Sequence, residues 1–418
     1  MIKRFGIVPV LAFLVFSCQK NGMNDFRKAA HPMADSTSDV RMVLKSSPVS
    51  LFLQAAKKTG LDSLLRPDQY FTVFAPVDDA MIAAGLDKGH IESLPADSLR
   101  KIVLFHVAQG AYSQAALSTA LYSVEMKSLR KDLSIDRGSA SSILYQQNLY
   151  AKISGVLYLN GEPVGKAGDT AWTASNGYIW PIQTVLQAPT QSIWQIAQSR
   201  PELSMYLAAM RINDSIYQSI GWIFRPGWGN SKTVAGDSVS YGWVVYDNLT
   251  NTQTYGLARA TVFAPTNAAF EAAGFHTYKD LLNYDTTMTP GYAGYQPGVG
   301  WLYNYLPMDS ILKTHVIINA GNYTAVRIPY HLSLYNDLMY NPDINNGGFN
   351  TVDFMNIYNG HAAPMPNQLL QFSGSNGAVK INWSPNAAPA GLPADKSRHI
   401  MALNGVVYEI DQLFTPHQ

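Results

Sequence analysis

Cysteine is almost absent: the 418 residues include one, Cys18. No intramolecular disulfide can form, and no set of thiolates can hold a metal. Charge is scarce too. Asp, Glu, Lys and Arg make up 14% of the chain, and 30 basic against 29 acidic side chains leave a formal charge of +1. Nowhere do Lys and Arg gather into the stripe a phosphate backbone requires, so nucleic acid is excluded as an expected partner. Catalytic signatures are lacking. Gly138-Ser139-Ala140-Ser141-Ser142 misses the second glycine of a nucleophile elbow, and no His-Glu-x-x-His pair occurs among the scattered histidines. The run from Asn341 to Gly348 alternates oxygen donors like a calcium loop, but it lacks the glycine at the sixth position and has Val352 at the twelfth. It reads as an Asx-rich turn. No enzyme, no cofactor and no metal site are expected.

What is present begins at the N-terminus. Lys3 and Arg4 precede an apolar run from Phe5 to Phe16, then Ser17 and Cys18. The run contains Pro9 and falls short of the roughly 20 residues a membrane helix needs, so it reads as a cleaved export signal. Val15-Phe16-Ser17-Cys18 resembles a bacterial lipobox, with Phe16 departing from the small residue usual there. The resemblance implies an acylated Cys18 and a membrane partner through that lipid anchor. Residues 1–18 are the expected signal peptide, and residues 19–38, polar and without apolar period, the expected tether.

A hydrophobic content of 47% over this length supports two packed cores, and the chain repeats itself accordingly. Thr72-Val73-Phe74-Ala75-Pro76 with Asp78 returns as Thr261-Val262-Phe263-Ala264-Pro265 with Asn267. Each reads as a strand ended by proline and followed by a helix that the Asx residue caps and a glycine, Gly85 or Gly274, stops. Helical spacing then runs to His106 and to His315, and each half closes on an Asn-Gly pair, Asn176-Gly177 and Asn404-Gly405, among strand-like residues. Asn-Gly tolerates positive backbone angles, so a tight hairpin is expected at each.

These landmarks, in this order and twice over, resemble the fasciclin family. The resemblance implies an α+β fold of two fasciclin-like domains, residues 39–190 and 191–418, with Thr72, Phe74, Pro76, Asp78, His106, Asn176, Gly177, Thr261, Phe263, Pro265, Asn267, His315, Asn404 and Gly405 as mainly structural motif residues. Family members mostly act in adhesion. Many have Tyr-His where this chain has Phe105-His106 and Thr314-His315, a departure from the pattern linked in animal members to receptor binding. A histidine that closes a buried helix is expected to donate to nearby backbone.

Spacing between landmarks places insertions in the second domain near residues 221–256, 286–306 and 335–398. Loops of this kind carry individuality. Aromatic residues crowd the first two, and Trp222, Trp228, Trp243, Trp301 and Tyr295 are the candidate ligand contacts. The expected protein is a lipid-anchored binding or adhesion protein of the outer membrane, facing the cell surface or the periplasm, with a protein or a polysaccharide as partner. A glycan-capture lipoprotein beside an uptake system is the alternative.

Overall fold

A computed structural model of the chain describes residues 37–120, 123–137, 140–219, 244–247, 252–255, 260–296, 300–304, 306–318, 355–358, 361–364, 371–375, 378–382, 388–392, 398–403 and 405–415. The signal, Cys18 and nearly all of the expected tether lie outside these residues. The tether's last residue is already part of the fold, because the Ser38 carbonyl accepts from the Ser175 N–H at 2.9 Å.

In the first half, α1 (Val40–Lys45) starts where the Asp39 carboxylate accepts the Arg41 and Met42 N–H groups. Next comes α2 (Ser50–Thr59), which ends at Gly60 in the left-handed conformation. The signature stretch is β1 (Phe71–Pro76), followed by α3 (Asp78–Ala83), α4 (Lys88–Ser93), α5 (Ala96–Phe105), β2 (Val107–Gln109) and α6 (Gln114–Thr119). The strands β3 (Val124–Lys127), β4 (Leu133–Arg137), β5 (Ala140–Tyr145), β6 (Asn148–Ser154), β7 (Val156–Leu159) and β8 (Glu162–Pro163) precede β9 (Trp172–Ala174) and β10 (Gly177–Ile182).

The central sheet has the order β2-β1-β10-β9, with β1 and β10 parallel and both outer pairs antiparallel. Every residue of β1 is buried, so the strand has no solvent face. Alternation divides it between two cores. Val73, Ala75 and Ile179 pack with Phe52, Leu99 and Val103 from the helices, whereas Phe74, Trp180 and Ile182 pack with Met126, Leu149 and Leu157 from the second sheet, β3-β6-β7-β8. Helices cover one side of the central sheet, and a small antiparallel sheet covers the other.

The second half repeats this plan. It runs α7 (Ile193–Ser199), α8 (Ser204–Ser219), β11 (Val244–Asp247), β12 (Thr252–Tyr255), β13 (Ala260–Pro265), α9 (Asn267–Ala272), α10 (Tyr278–Asp285), β14 (Gly291–Gln296), β15 (Gly300–Asn304), α11 (Pro307–Thr314) and β16 (Val316–Ile318). Then follow β17 (Met355–Tyr358), β18 (His361–Pro364), β19 (Gln371–Ser375), β20 (Ala378–Asn382), β21 (Ala390–Gly391), β22 (His399–Ala402) and β23 (Gly405–Ile410). The sheet order β16-β13-β23-β22 matches the first half strand for strand, down to the register in which each Asn-Gly glycine lies opposite the residue before the signature threonine. Val262, Ala264 and Val407 pack against Met205, Tyr206, Phe270 and Ile311 of the helices. The chain is therefore an α+β protein of two halves built on one plan, and the β11–β12, β14–β15, β17–β18 and β19–β21 pairings fall within the stretches read as insertions.

Candidate interaction surface

The motif residues form hydrogen-bonded joints. The hydroxyl of buried Thr72 donates to the Gly110 carbonyl at 2.8 Å and accepts from the Tyr112 N–H at 2.9 Å, which ties β1 to the segment after β2. The buried Asn176 amide accepts from the Val40 N–H at 2.8 Å and donates to the carbonyls of Gln69 at 2.9 Å and Arg66 at 3.2 Å. One side chain thus gathers the start of α1, the loop before β1 and the β9–β10 turn.

Two expectations about these residues need correction. Asp78 and Asn267 do not cap the helices they open; each is the first residue of its helix, after Val77 and Thr266. Their side chains reach sideways to cap a different helix. Asp78 accepts from the Leu51 N–H at 2.9 Å and from the Ser50 hydroxyl, at the start of α2. Asn267 accepts from the Met205 N–H at 2.9 Å at the start of α8 and donates to the Pro201 carbonyl at 3.1 Å. The Asx residue caps a long-range neighbour because its own helix turns away directly after the proline-ended strand. The second correction concerns Asn176, which does not adopt a positive φ; among the described non-glycine residues Asn160 alone does. Its contribution is the amide, and the backbone demand falls on Gly177, where a Cβ would stand 1.8 Å from the Phe71 carbonyl oxygen.

His106 and His315 follow their helices as buried neutral imidazoles. His106 Nδ1 donates to the Ile102 carbonyl at 2.9 Å while Nε2 accepts from the Leu186 N–H at 2.9 Å. His315 Nδ1 donates to the Phe263 carbonyl at 2.8 Å while Nε2 accepts from the Phe414 N–H at 2.8 Å. Complete burial pulls His106 down to about 4 and His315 to about 3, against the mild raising effect of the carbonyl at Nδ1. With both nitrogens engaged and no solvent-facing atom, neither ring is placed to touch a ligand. Each clamps the segment that follows the last strand of its domain.

The second domain also buries a charge, Glu409 on β23. Arg200 Nε meets its carboxylate at 2.5 Å and Arg398 at 3.5 Å, while Arg398 forks onto Asp411 at 2.9 and 2.6 Å. The Thr266 hydroxyl donates to Asp411 at 2.8 Å. This paired network ties α7 and β22 to the end of β23, and removing one partner would strand a buried charge. No group of three or more metal-ligating side chains occurs among the described residues.

Phe74 and Phe263 are buried, and Pro76 and Pro265 end their strands. Thr261 and Gly405 hold the register positions of Thr72 and Gly177, while Asn404 lies outside the described residues. Of the candidate ligand contacts, Trp222, Trp228 and Trp243 also lie outside them. The structure places the other two together. Tyr295 on β14 and Trp301 on β15 are register partners, and Tyr295 is 58% exposed. The β14–β15 ribbon carries a bulge between Tyr292 and Gly294, after which Gly294 pairs with Leu302 and Tyr295 with Trp301. In a regular strand residues 292 and 295 would fall on opposite faces. The extra residue cancels that offset, so positions 292, 295, 301 and 303 share one face. The sequence signal for this was Gly294, a glycine inside a strand-like run.

The family model described as Fasciclin domain matches residues 47–188. That segment is a fasciclin domain. The matched segment spans the central sheet of the first half from α2 to just beyond β10. Among solved structures, a FAS1 domain pair from the insect cell adhesion molecule fasciclin I is similar at 14% identity, over 88% of this chain and 97% of that one, with a TM-score of 0.31. No curated protein matches the sequence. Fasciclin domains occur in adhesion and binding proteins that are generally non-catalytic and typically extracellular or surface-located. Among the described residues, no helix is long and apolar enough to cross a membrane.

Proposed function

We propose that this fasciclin protein is a lipid-anchored, extracytoplasmic binding and adhesion protein without catalytic activity, held in the outer membrane through Cys18. The observation that carries the reading is the joint occurrence of a fasciclin domain at residues 47–188 with a basic, apolar and Ser17-Cys18 leader at the N-terminus. A leader of this kind exports the chain, and several acyl chains on one cysteine anchor it stably. The folded domains would then face a partner on another surface, either a protein or a polysaccharide. Glycan capture beside an uptake system is the second reading, and the exposed Tyr295 favours it.

Adhesion is the direct test. Cells displaying the full chain should aggregate or attach to partner cells, and soluble chain carrying Cys18→Ser should compete with them. Displayed chain that changes neither aggregation nor attachment would contradict the proposal.

A further inference from the structure

The chain passes from the first domain to the second within very few residues, and both sides of the crossing are tied down. After β10 the Gln183 N–H donates to the Val164 carbonyl at 2.7 Å, and the Leu186 N–H to His106 Nε2 at 2.9 Å. Val185 and Leu186 are buried, one in each core of the first domain, and Ala188 packs against the same core as Leu186. The amide of buried Gln147 donates to the Pro189 carbonyl at 3.5 Å. On the far side the Gln191 carbonyl accepts from the N–H of Leu403, directly after β22, at 2.8 Å. Ser192 then closes a capping box with Gln195 at the start of α7, and Ile193 and Trp194 enter the core of the second domain. Between these two sets of ties stands Thr190, which is exposed.

We propose that this junction is a stiff coupling, which holds the two domains in a narrow range of mutual orientations. The inference concerns the chain between the domains and is independent of the anchor and of the partner. Domains joined by a free linker move against one another by default. A flexible linker spreads its ends by about 5–6 Å times the square root of its length in residues, and here that length is a single residue. Its neighbours have little freedom of their own. The ring of Pro189 fixes φ at that position, and Ala188, preceding a proline, is confined to extended backbone. Drawing slack from the first domain would break the bond to His106, whose other ring nitrogen holds the Ile102 carbonyl of α5. Drawing it from the second would open the α7 capping box and lift Ile193 from its core. Rotation at Thr190 itself is stopped by collision. One residue spans about 3.5 Å, whereas a domain of this size has a radius of gyration of about 15 Å. Pull on the second domain therefore passes to the first with no extensible segment between them.

Electron–electron double resonance between spin labels tests the joint, on the full chain carrying Cys18→Ser so that only introduced thiols are labelled. Lys88→Cys on α4 with Lys279→Cys on α10 reports across the joint, and Lys88→Cys with Lys166→Cys reports within the first domain; all three lysines are exposed. The distribution across the joint should show one distance, with a width within about twice that of the first-domain pair. Inserting Gly-Ser-Gly-Ser between Thr190 and Gln191 should broaden it roughly twofold or more and leave the first-domain pair unchanged. A parent distribution as broad as that of the insertion variant would overturn the inference. So would a narrow one that the insertion leaves narrow, because the orientation would then be held by contacts other than the junction. If the insertion disturbs folding, the two pairs in the parent decide alone, and a distribution across the joint several times wider than within the domain overturns the proposal.

Discussion

Each domain hides one imidazole whose ring nitrogens both hold the backbone, and this arrangement ties stability to pH. Folding lowers His106 from 6.5 to about 4 and His315 from 6.5 to about 3. Above pH 6.5 neither the folded nor the unfolded chain carries these charges. Below it the unfolded chain takes up a proton at each ring and the folded chain does not, so stability falls by about 1.4 kcal/mol per pH unit per histidine. The loss continues down to the folded values. Urea unfolding should therefore show midpoints dropping between about pH 6.5 and 4.5, a window above the range where ordinary carboxylates titrate. Midpoints that stay constant across that window would contradict the assignment. A sequence can suggest that a histidine closing a buried helix bonds to backbone. It cannot show which carbonyl accepts the hydrogen bond: Ile102 on the same helix serves His106, whereas Phe263 on the neighbouring strand serves His315.

At the scale of elements, the central pair β1 and β10 has the tightest tolerance. Gly177 opens β10 opposite Phe71, and a Cβ there would also press on the Val40 side chain at 2.9 Å. Gly177→Ala should cost roughly 3 kcal/mol or more, because backbone must move on the strand that both cores share. Thermal unfolding measures this directly, and a variant within experimental error of the parent would remove the close approach from the account. The strand, helix and glycine-stop pattern was legible because it is local: β-branched and aromatic residues up to a proline, a short apolar helical turn, then glycine. A strand pair around Asn176-Gly177 was legible for the same reason, although the two-residue loop is Ser175-Asn176 and Gly177 already opens β10. The partnership of β1 with β10 was not, since parallel neighbours joined by most of a domain leave no local mark. Nor was the sideways capping by Asp78 and Asn267, whose receiving helices lie far away in sequence. The aromatic face of β14–β15 stayed hidden because one bulged residue decides which positions share a side.

For the whole molecule, repetition was the most informative feature. Two sets of landmarks in one order announced two domains of one fold, and the matching sheet orders carry that plan into three dimensions. Low charge and the lack of catalytic patterns pointed to binding, with a protein or a polysaccharide as the expected partner and nucleic acid excluded, while the leader set the direction of export in the proposal. In the proposed function the anchor is decisive, since a binding face without one cannot join two surfaces. The anchor is therefore the claim to test first. Cells expressing the full chain should be fed a clickable fatty acid, and the labelled protein compared with a Cys18→Ser variant. The account predicts label on the parent in the outer-membrane fraction and none on the variant. Equal labelling of the two, or an unlabelled parent recovered as soluble protein, would contradict it.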